Sequence, residues 1–224
     1  MQQKKRKTLL RRLLQRSNLS PDEFEKALIT DLQRWGVFVC DHFLSEEELA
    51  GVAIEFEELH LRGKFKRAGI GKLKDFHVNE EIRKDETLWL ESAELSDVQN
   101  ALWDKLDVLK RAINETLFLG LWSLEGHYAY YPVGGFYKKH IDRFSQDDTR
   151  TISMVLYLNS EWKESDGGQL RIHHPDLSNG MTDISPLGGR LVCFLSSQIE
   201  HEVLPATRIR RSFAGWWKRR SSDL

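Results

Sequence analysis

Near residue 120 the hydrophobic period of the chain changes, and that change restricts the fold more than any other feature of the sequence. Before it, Val98, Leu102, Leu106, Leu109, Ile113 and Leu117 recur at intervals of three and four, which lays apolar side chains along one face of a helix over 97 to about 116. Ser20-Pro21-Asp22-Glu23 is a capping box with Pro at the first helical position, and Ser45 with Glu48 is another. With Gly36 and Gly63 as stops, helices are expected over 21–35 and from Ser45 to about Arg62, with a strand over 36–40. After residue 120 the apolar runs shorten to 126–131, 136–141, 151–158, 169–172, 190–195 and 210–217, separated by Gly, Pro, Asp and Ser. The expected fold class is α+β, mainly β: helical support over 21–120 carrying a sandwich or barrel over 121–217, with 21–224 as one domain.

Residues 1–20 stand apart as a basic extension. Seven of the 33 Lys/Arg and none of the 34 Asp/Glu fall in residues 1–16, leaving a body of net charge −8. Leu9, Leu10, Leu13 and Leu14 sit between those charges at helical spacing, so the segment reads either as a basic amphipathic helix for a nucleic acid, membrane surface or partner, or as a solvated extension. It has no apolar h-region, and export is not expected. The longest apolar run, 191–195, falls far short of the roughly 20 residues that cross a bilayer. Cys40 and Cys193, the two cysteines, lie far apart, which excludes a disulfide framework and a thiolate zinc site and favours a cytoplasmic location. Residues 63–91, aperiodic and rich in Gly, Lys and acids, are expected to form a long mobile connection and a candidate lid.

The chemistry gathers at His140-Ile141-Asp142. Residues two apart in a strand share a face, so this imidazole and carboxylate can grip one ion. With eight histidines and 34 acids in the chain, the same pair also reads as a surface ion pair. His201, directly after the strand expected at 190–197, can be carried back to the pair by an antiparallel barrel. An N,N,O set without thiolate favours non-haem Fe(II), with zinc or manganese in a cupin-like barrel as the alternatives. Three coordination positions then remain, enough for the keto and carboxylate oxygens of 2-oxoglutarate and for dioxygen. The far carboxylate needs a cation. Arg210, nine residues after His201, alternates onto one face with Ser212, Ala214 and Trp216, and its guanidinium fork suits a carboxylate. Arg208 and Arg211 are rivals, Arg211 falling on the opposite parity, and a solvated basic edge strand is the competing reading.

Together, Tyr131-Pro132, Gly135, Tyr137, His140-x-Asp142, Arg150, Tyr157-Leu158-Asn159, Gly167-Gly168-x-Leu170-Arg171, His201-Glu202-Val203-x-Pro205 and Arg210-x-Ser212 to Trp216 resemble the iron- and 2-oxoglutarate-dependent prolyl hydroxylases in order and spacing. Upstream, residues 36–44, Gly63-Lys64-Phe65 and Ile82-Arg83-x-Asp85 with Trp89 are similar to the animal hydroxylases acting on hypoxia-inducible factor and to their bacterial counterparts. The resemblance, over about residues 32–217, implies a double-stranded β-helix (jelly-roll, cupin-like) with a layer of supporting helices. It implies iron on His140, Asp142 and His201, and the distal carboxylate of 2-oxoglutarate on Arg210 and Tyr157 with Tyr131 beside them. Tyr137 and Arg150 would line the prolyl-binding mouth with Trp216 as an aromatic wall, and Trp89, the fourth substrate-binding residue implied, would lie beside the mobile loop. The activity implied is that of an Fe(II)- and 2-oxoglutarate-dependent dioxygenase, with O2 as co-substrate and ascorbate as reductant, hydroxylating a prolyl residue of a protein and releasing succinate and CO2. Elongation factor Tu is the substrate expected of a bacterial form.

The same chemistry on a small molecule or nucleic acid, and a non-catalytic iron- or oxygen-sensing module, are the alternatives. Nucleic acid is disfavoured because the Arg210 strand lacks the second, spaced arginine of nucleic-acid dealkylases and the body is acidic. The chain is expected to depart from the animal enzymes in three places: one residue fewer between Tyr131-Pro132 and Tyr137, a charged loop at 143–148, and too few residues after Trp217 for the C-terminal helix of those relatives. Substrate contacts are expected to differ there.

Overall fold

The computed structural model describes residues 19–69, 78–142, 149–177 and 179–221. Three helices form where local signals place them. Helix α1 (Pro21–Trp35) opens with the Ser20 hydroxyl accepting from the Glu23 amide while the Glu23 carboxylate accepts from the Ser20 amide, and it closes on Gly36 at φ 67°. Helix α2 (Glu46–Leu61) repeats the box with Ser45 and Glu48, and α3 (Asp97–Leu117) opens on Ser96 with Gln99 in the role of the glutamate. In α3 the expected stripe is the inward face: Leu102, Leu106, Leu109 and Ile113 are buried.

Among the described residues eleven strands interleave with the helices: β1 (Val37–Cys40), β2 (Lys66–Arg67), β3 (Glu86–Leu90), β4 (Leu121–Tyr131), β5 (Tyr137–His140), β6 (Arg150–Tyr157), β7 (Leu170–His173), β8 (Met181–Ile184), β9 (Leu191–Leu195), β10 (Glu200–Val203) and β11 (Arg210–Arg219). They make a seven-stranded sheet ordered β1-β9-β6-β11-β4-β3-β2 and a four-stranded sheet ordered β5-β10-β7-β8, with antiparallel pairing throughout. From β4 onward the chain passes back and forth between the two sheets, which is the winding of a double-stranded β-helix.

Period-two alternation divides the core between the layers. Ile152, Met154 and Leu156 of β6, with Tyr128, Phe213 and Trp217, pack under the three helices. Tyr157, Ala129, Tyr131, Val192 and Phe194 face the opposite way and meet Leu170, Ile172, Ile184 and Val203 of the small sheet. The functional residues lie between the sheets, on that second face.

The support over 21–120 is not purely helical: β1 joins one side of the large sheet, and β3 with β2 extends the other side beyond β4. The stretch 63–91 therefore contains two strands instead of being a connection throughout, because backbone pairing to β4 compensates for a mixed-charge sequence with no period of its own. Residues 70–77 of that candidate lid, residues 1–18 of the basic extension and the loop 143–148 lie outside the described residues. Cys40 and Cys193 are buried thiols outside any disulfide. Among the described residues no helix is long and apolar enough to cross a membrane.

Candidate metal centre and co-substrate pocket

Strand β10 runs antiparallel to β5 with His201 opposite His140, and Asp142 follows two residues beyond. The two imidazole centroids are 4.3 Å apart. His140 Nε2 lies 3.4 Å from Asp142 Oδ1 and His201 Nε2 lies 3.7 Å from Asp142 Oδ2, and one donor atom from each residue falls within 4.8 Å of the others. The backbone orients both rings. The Lys138 carbonyl is 2.7 Å from His140 Nδ1 and the Ile199 carbonyl is 3.1 Å from His201 Nδ1, so each Nδ1–H donates to a carbonyl and each Nε2 lone pair is left facing its neighbours. Burial lowers the pKa of His201 to about 4, keeping it neutral as a ligand must be. Burial opposes ionisation of Asp142, but the facing His201 and His140 outweigh it and hold the carboxyl well below the usual range. Two neutral imidazoles and one carboxylate converging on a point fit a divalent ion, and the absence of sulfur fits Fe(II).

The cavity over this cluster has a volume of about 1020 Å³ and opens between the sheets. Its inner end is built on the long β11. Arg210 pairs across the sheet with Tyr131, and Ser212 with Ala129 on one side and Tyr157 on the other, so these side chains share the cavity face. Arg210 is 1% exposed; its Nε donates to the Gly168 carbonyl at 2.9 Å and Nη1 to Ser212 Oγ at 3.3 Å. The guanidinium carbon lies 4.9 Å from the Tyr131 ring centroid and 5.0 Å from that of Tyr157. No carboxylate pairs with it among the described residues, and a buried cation left so is costly unless an anion arrives. Arg211 pairs with Glu57 on the far face, and Arg208 reaches Asp166 at 3.4 Å on the surface, which removes both rivals. The Gly167-Gly168 pair permits this packing. Gly168 sits at φ +67°, and a Cβ there would come 2.9 Å from Ala206 Cβ and 3.2 Å from Arg210 Cδ.

The outer end is aromatic. Tyr137 stacks on His140 at 3.7 Å and is capped at 4.3 Å by Arg83, which Asp85 holds through two hydrogen bonds of 2.7 and 2.5 Å. Trp216 stacks with Trp89 at 6.0 Å, and Arg150 lies 3.7 Å over its ring while donating to Glu125 at 2.8 Å. Nine of the ten residues expected at the site line the cavity. Tyr157 is the tenth: it is fully buried beside Arg210, with a hydroxyl that has no hydrogen-bond partner among the described residues.

His127 was not anticipated. It lines the cavity between Trp89, at 4.7 Å, and Trp216, at 5.4 Å, with its Nδ1 buried and unpartnered. The signal was available: within the strand expected at 126–131, parity puts 127 on the face of Tyr131. Burial, helped by Arg83 and Arg150, lowers its pKa to about 3. A histidine kept neutral in the fold takes up a proton on unfolding below its ordinary value near 6.5. Stability should therefore fall as pH drops from about 6.5 toward 3, with up to about 1.4 kcal/mol per pH unit from this group. Urea denaturation of His127→Leu at pH 5 and pH 7.5 should show a shallower pH dependence than the parent; an unchanged slope would mean His127 is not the group concerned.

The family profile described as the 2OG-Fe(II) oxygenase superfamily matches residues 126–218, which include the whole metal cluster and Arg210. A crystal structure of a Pseudomonas putida prolyl-4-hydroxylase is 39% identical, covers 88% of this chain and 100% of its own, and superposes with a TM-score of 0.78. The chain belongs to the prolyl hydroxylases of that superfamily. A Trichoplax adhaerens prolyl hydroxylase, solved with a hypoxia-inducible factor oxygen degradation domain peptide fragment, is 26% identical over 87% of this chain and 88% of its own, with a TM-score of 0.77. Human Egl nine homolog 1 is 30% identical over 85% of this chain and 45% of its own length. This oxygenase thus spans less than half the length of the first curated relatives it matches. Fe(II), 2-oxoglutarate and O2 are the cofactor and co-substrates of its family.

Proposed function

We propose that this oxygenase hydroxylates a prolyl residue of a protein substrate, with succinate and CO2 as co-products. The observation that carries the reading is the cavity itself: a His-Asp-His cluster with one carboxylate, set between a buried Arg210 that meets no carboxylate among the described residues at one end and an aromatic wall at the other. His140, Asp142 and His201 would hold Fe(II). When bound there, Fe(II) would supply O2 activation coupled to oxidative decarboxylation of 2-oxoglutarate, one oxygen atom going into succinate and the other into a C–H bond of the substrate, with CO2 released. Arg210 receives the distal carboxylate, and its bonds to Gly168 and Ser212 fix the direction in which it presents its remaining N–H groups. Burial raises the phenol pKa of Tyr131 and of Tyr157, leaving both as protonated neighbours of that carboxylate. Trp216, Trp89 and Tyr137 exclude water and give a pyrrolidine ring an apolar bed, while Arg150, steadied by Glu125, lies over Trp216 within reach of a peptide carbonyl.

We assign residues 21–224 to one domain and 1–20 to an extension, with ascorbate as reductant and the cytoplasm as location. Elongation factor Tu is the first protein to test. The decisive experiment is incubation of iron-loaded protein with 2-oxoglutarate and heavy oxygen gas in a lysate lacking the enzyme, followed by peptide mass spectrometry. One heavy hydroxyl on a defined proline is the expected result. Succinate accumulating without any labelled protein would move the substrate to small molecules, and no succinate at all would favour a sensor.

A further inference from the structure

The charge at the cavity mouth is opposite to that of the body. Beyond residue 16 the chain carries a net charge of −8, yet most charged residues lining the cavity are basic. Lys64, Lys66 and Lys138 are exposed and have no ion-pair or side-chain hydrogen-bond partner among the described residues. The two acids of the lining are engaged: Asp142 by the imidazoles, and Glu125 by Arg150 at 2.8 Å and Lys218 at 3.1 Å. The undescribed segments 70–77 and 143–148 carry formal charges of +1 and −1, which leaves the balance as it stands. Ammonium groups without an acidic partner among the described residues, gathered at one mouth, repel each other and make a local positive potential on an otherwise acidic protein, which draws in an anion.

The type of cation indicates which anion. The mouth's arginine forks are already occupied, Arg83 by Asp85, Arg150 by Glu125 and Arg67 by Glu80. What remains unpaired among the described residues is a small set of lysine point charges, which suits the few dispersed carboxylates of a peptide, whereas the net charge of −8 on the rest of the body repels the long run of phosphates of a nucleic acid. We infer that the mouth recognises a peptide in which the target proline is flanked by Asp or Glu, an assignment that rests on the prolyl hydroxylase reading. The pocket wall takes the pyrrolidine, and Lys64, Lys66 and Lys138 take the acidic flank.

Three synthetic peptides with one prolyl core and Glu, Gln or Lys flanks separate this inference from the reading beneath it. KM and kcat for hydroxylation are measured on the full chain with Fe(II) and 2-oxoglutarate, and fluorescence anisotropy gives the affinities. A few exposed ion pairs, each worth a factor of about two to five, should make KM for the Glu-flanked peptide about tenfold lower than for the Gln-flanked one with kcat unchanged. The preference should shrink in 1 M salt, where the screening length falls from about 10 Å at 0.1 M to about 3 Å. Lys64→Glu with Lys66→Glu should reverse it while leaving substrate-free succinate formation as in the parent. Hydroxylation of all three peptides with equal KM would overturn the inference and leave the prolyl reading intact. Hydroxylation of none, together with an unlabelled lysate, would overturn both. Tighter binding of a single-stranded oligonucleotide than of the Glu-flanked peptide would overturn the peptide assignment.

Discussion

Asp142→Ala should lose iron and turnover together. The carboxylate is the one anionic member of the cluster, lying 3.4 Å from His140 Nε2 and 3.7 Å from His201 Nε2, and without it two neutral imidazoles face a divalent cation with no charge to offset. Loss of a mere outer partner of a metal ligand costs about 10- to 100-fold, so removal of a direct ligand should cost more than about 100-fold in both metal affinity and rate. His201→Ala should behave alike, because its Nε2 is aimed by the Ile199 carbonyl and no other histidine joins the cluster among the described residues. Iron per chain after gel filtration, measured beside succinate production, checks both variants. An Asp142→Ala protein that retains iron and turns over would remove the cluster from the mechanism. Asp142→Asn separates charge from shape: it can keep an oxygen ligand but not the anion, and should fall between the parent and the alanine variant if charge dominates.

What the sequence made legible follows the range of the interactions involved. The caps of α1 and α2 are written in four adjacent residues each, and the α3 stripe in six, so the helices could be placed closely. Arg210 was separable from Arg211 because β11 is long and alternates cleanly, leaving Arg211 on the face where Glu57 meets it. By contrast β8 and β10 are four residues each, too short for alternation to stand out, and their partners lie far off in sequence. The register that sets His201 opposite His140 leaves no local trace, and only the assumption of a closed barrel brought them together. His127 was within reach of the parity argument but lacked a motif to single it out. The state of the mouth lysines could not be read at all, since which arginines are occupied depends on Asp85, Glu125 and Glu80 arriving from other elements.

Arg210→Ala should raise the 2-oxoglutarate KM by about 10- to 100-fold while kcat at saturating co-substrate changes much less, since a charge-assisted contact is worth about 1.5 to 3 kcal/mol and the residue lies away from the metal ligands. Arg210→Lys should recover only part of the loss, because a point charge cannot reproduce a fork already aligned by Gly168 and Ser212. Arg211→Ala should leave the KM near that of the parent, its ion pair with Glu57 being on the opposite face. Thermal stability offers a second readout with the opposite sign. Arg210 is a buried cation that meets no carboxylate among the described residues, so its removal should not lower the melting temperature of the ligand-free form as loss of a buried ion pair would. What should vanish is the stabilisation by co-substrate, about 2.7 kcal/mol for the parent at one hundred times its Kd. If Arg210→Ala instead melts early without ligand and still gains fully from 2-oxoglutarate, the residue is a brace for the sheet and the carboxylate socket lies elsewhere. If it melts as the parent does and gains nothing, the fold carries an unpaired charge at its centre because the second half of the pair is the co-substrate.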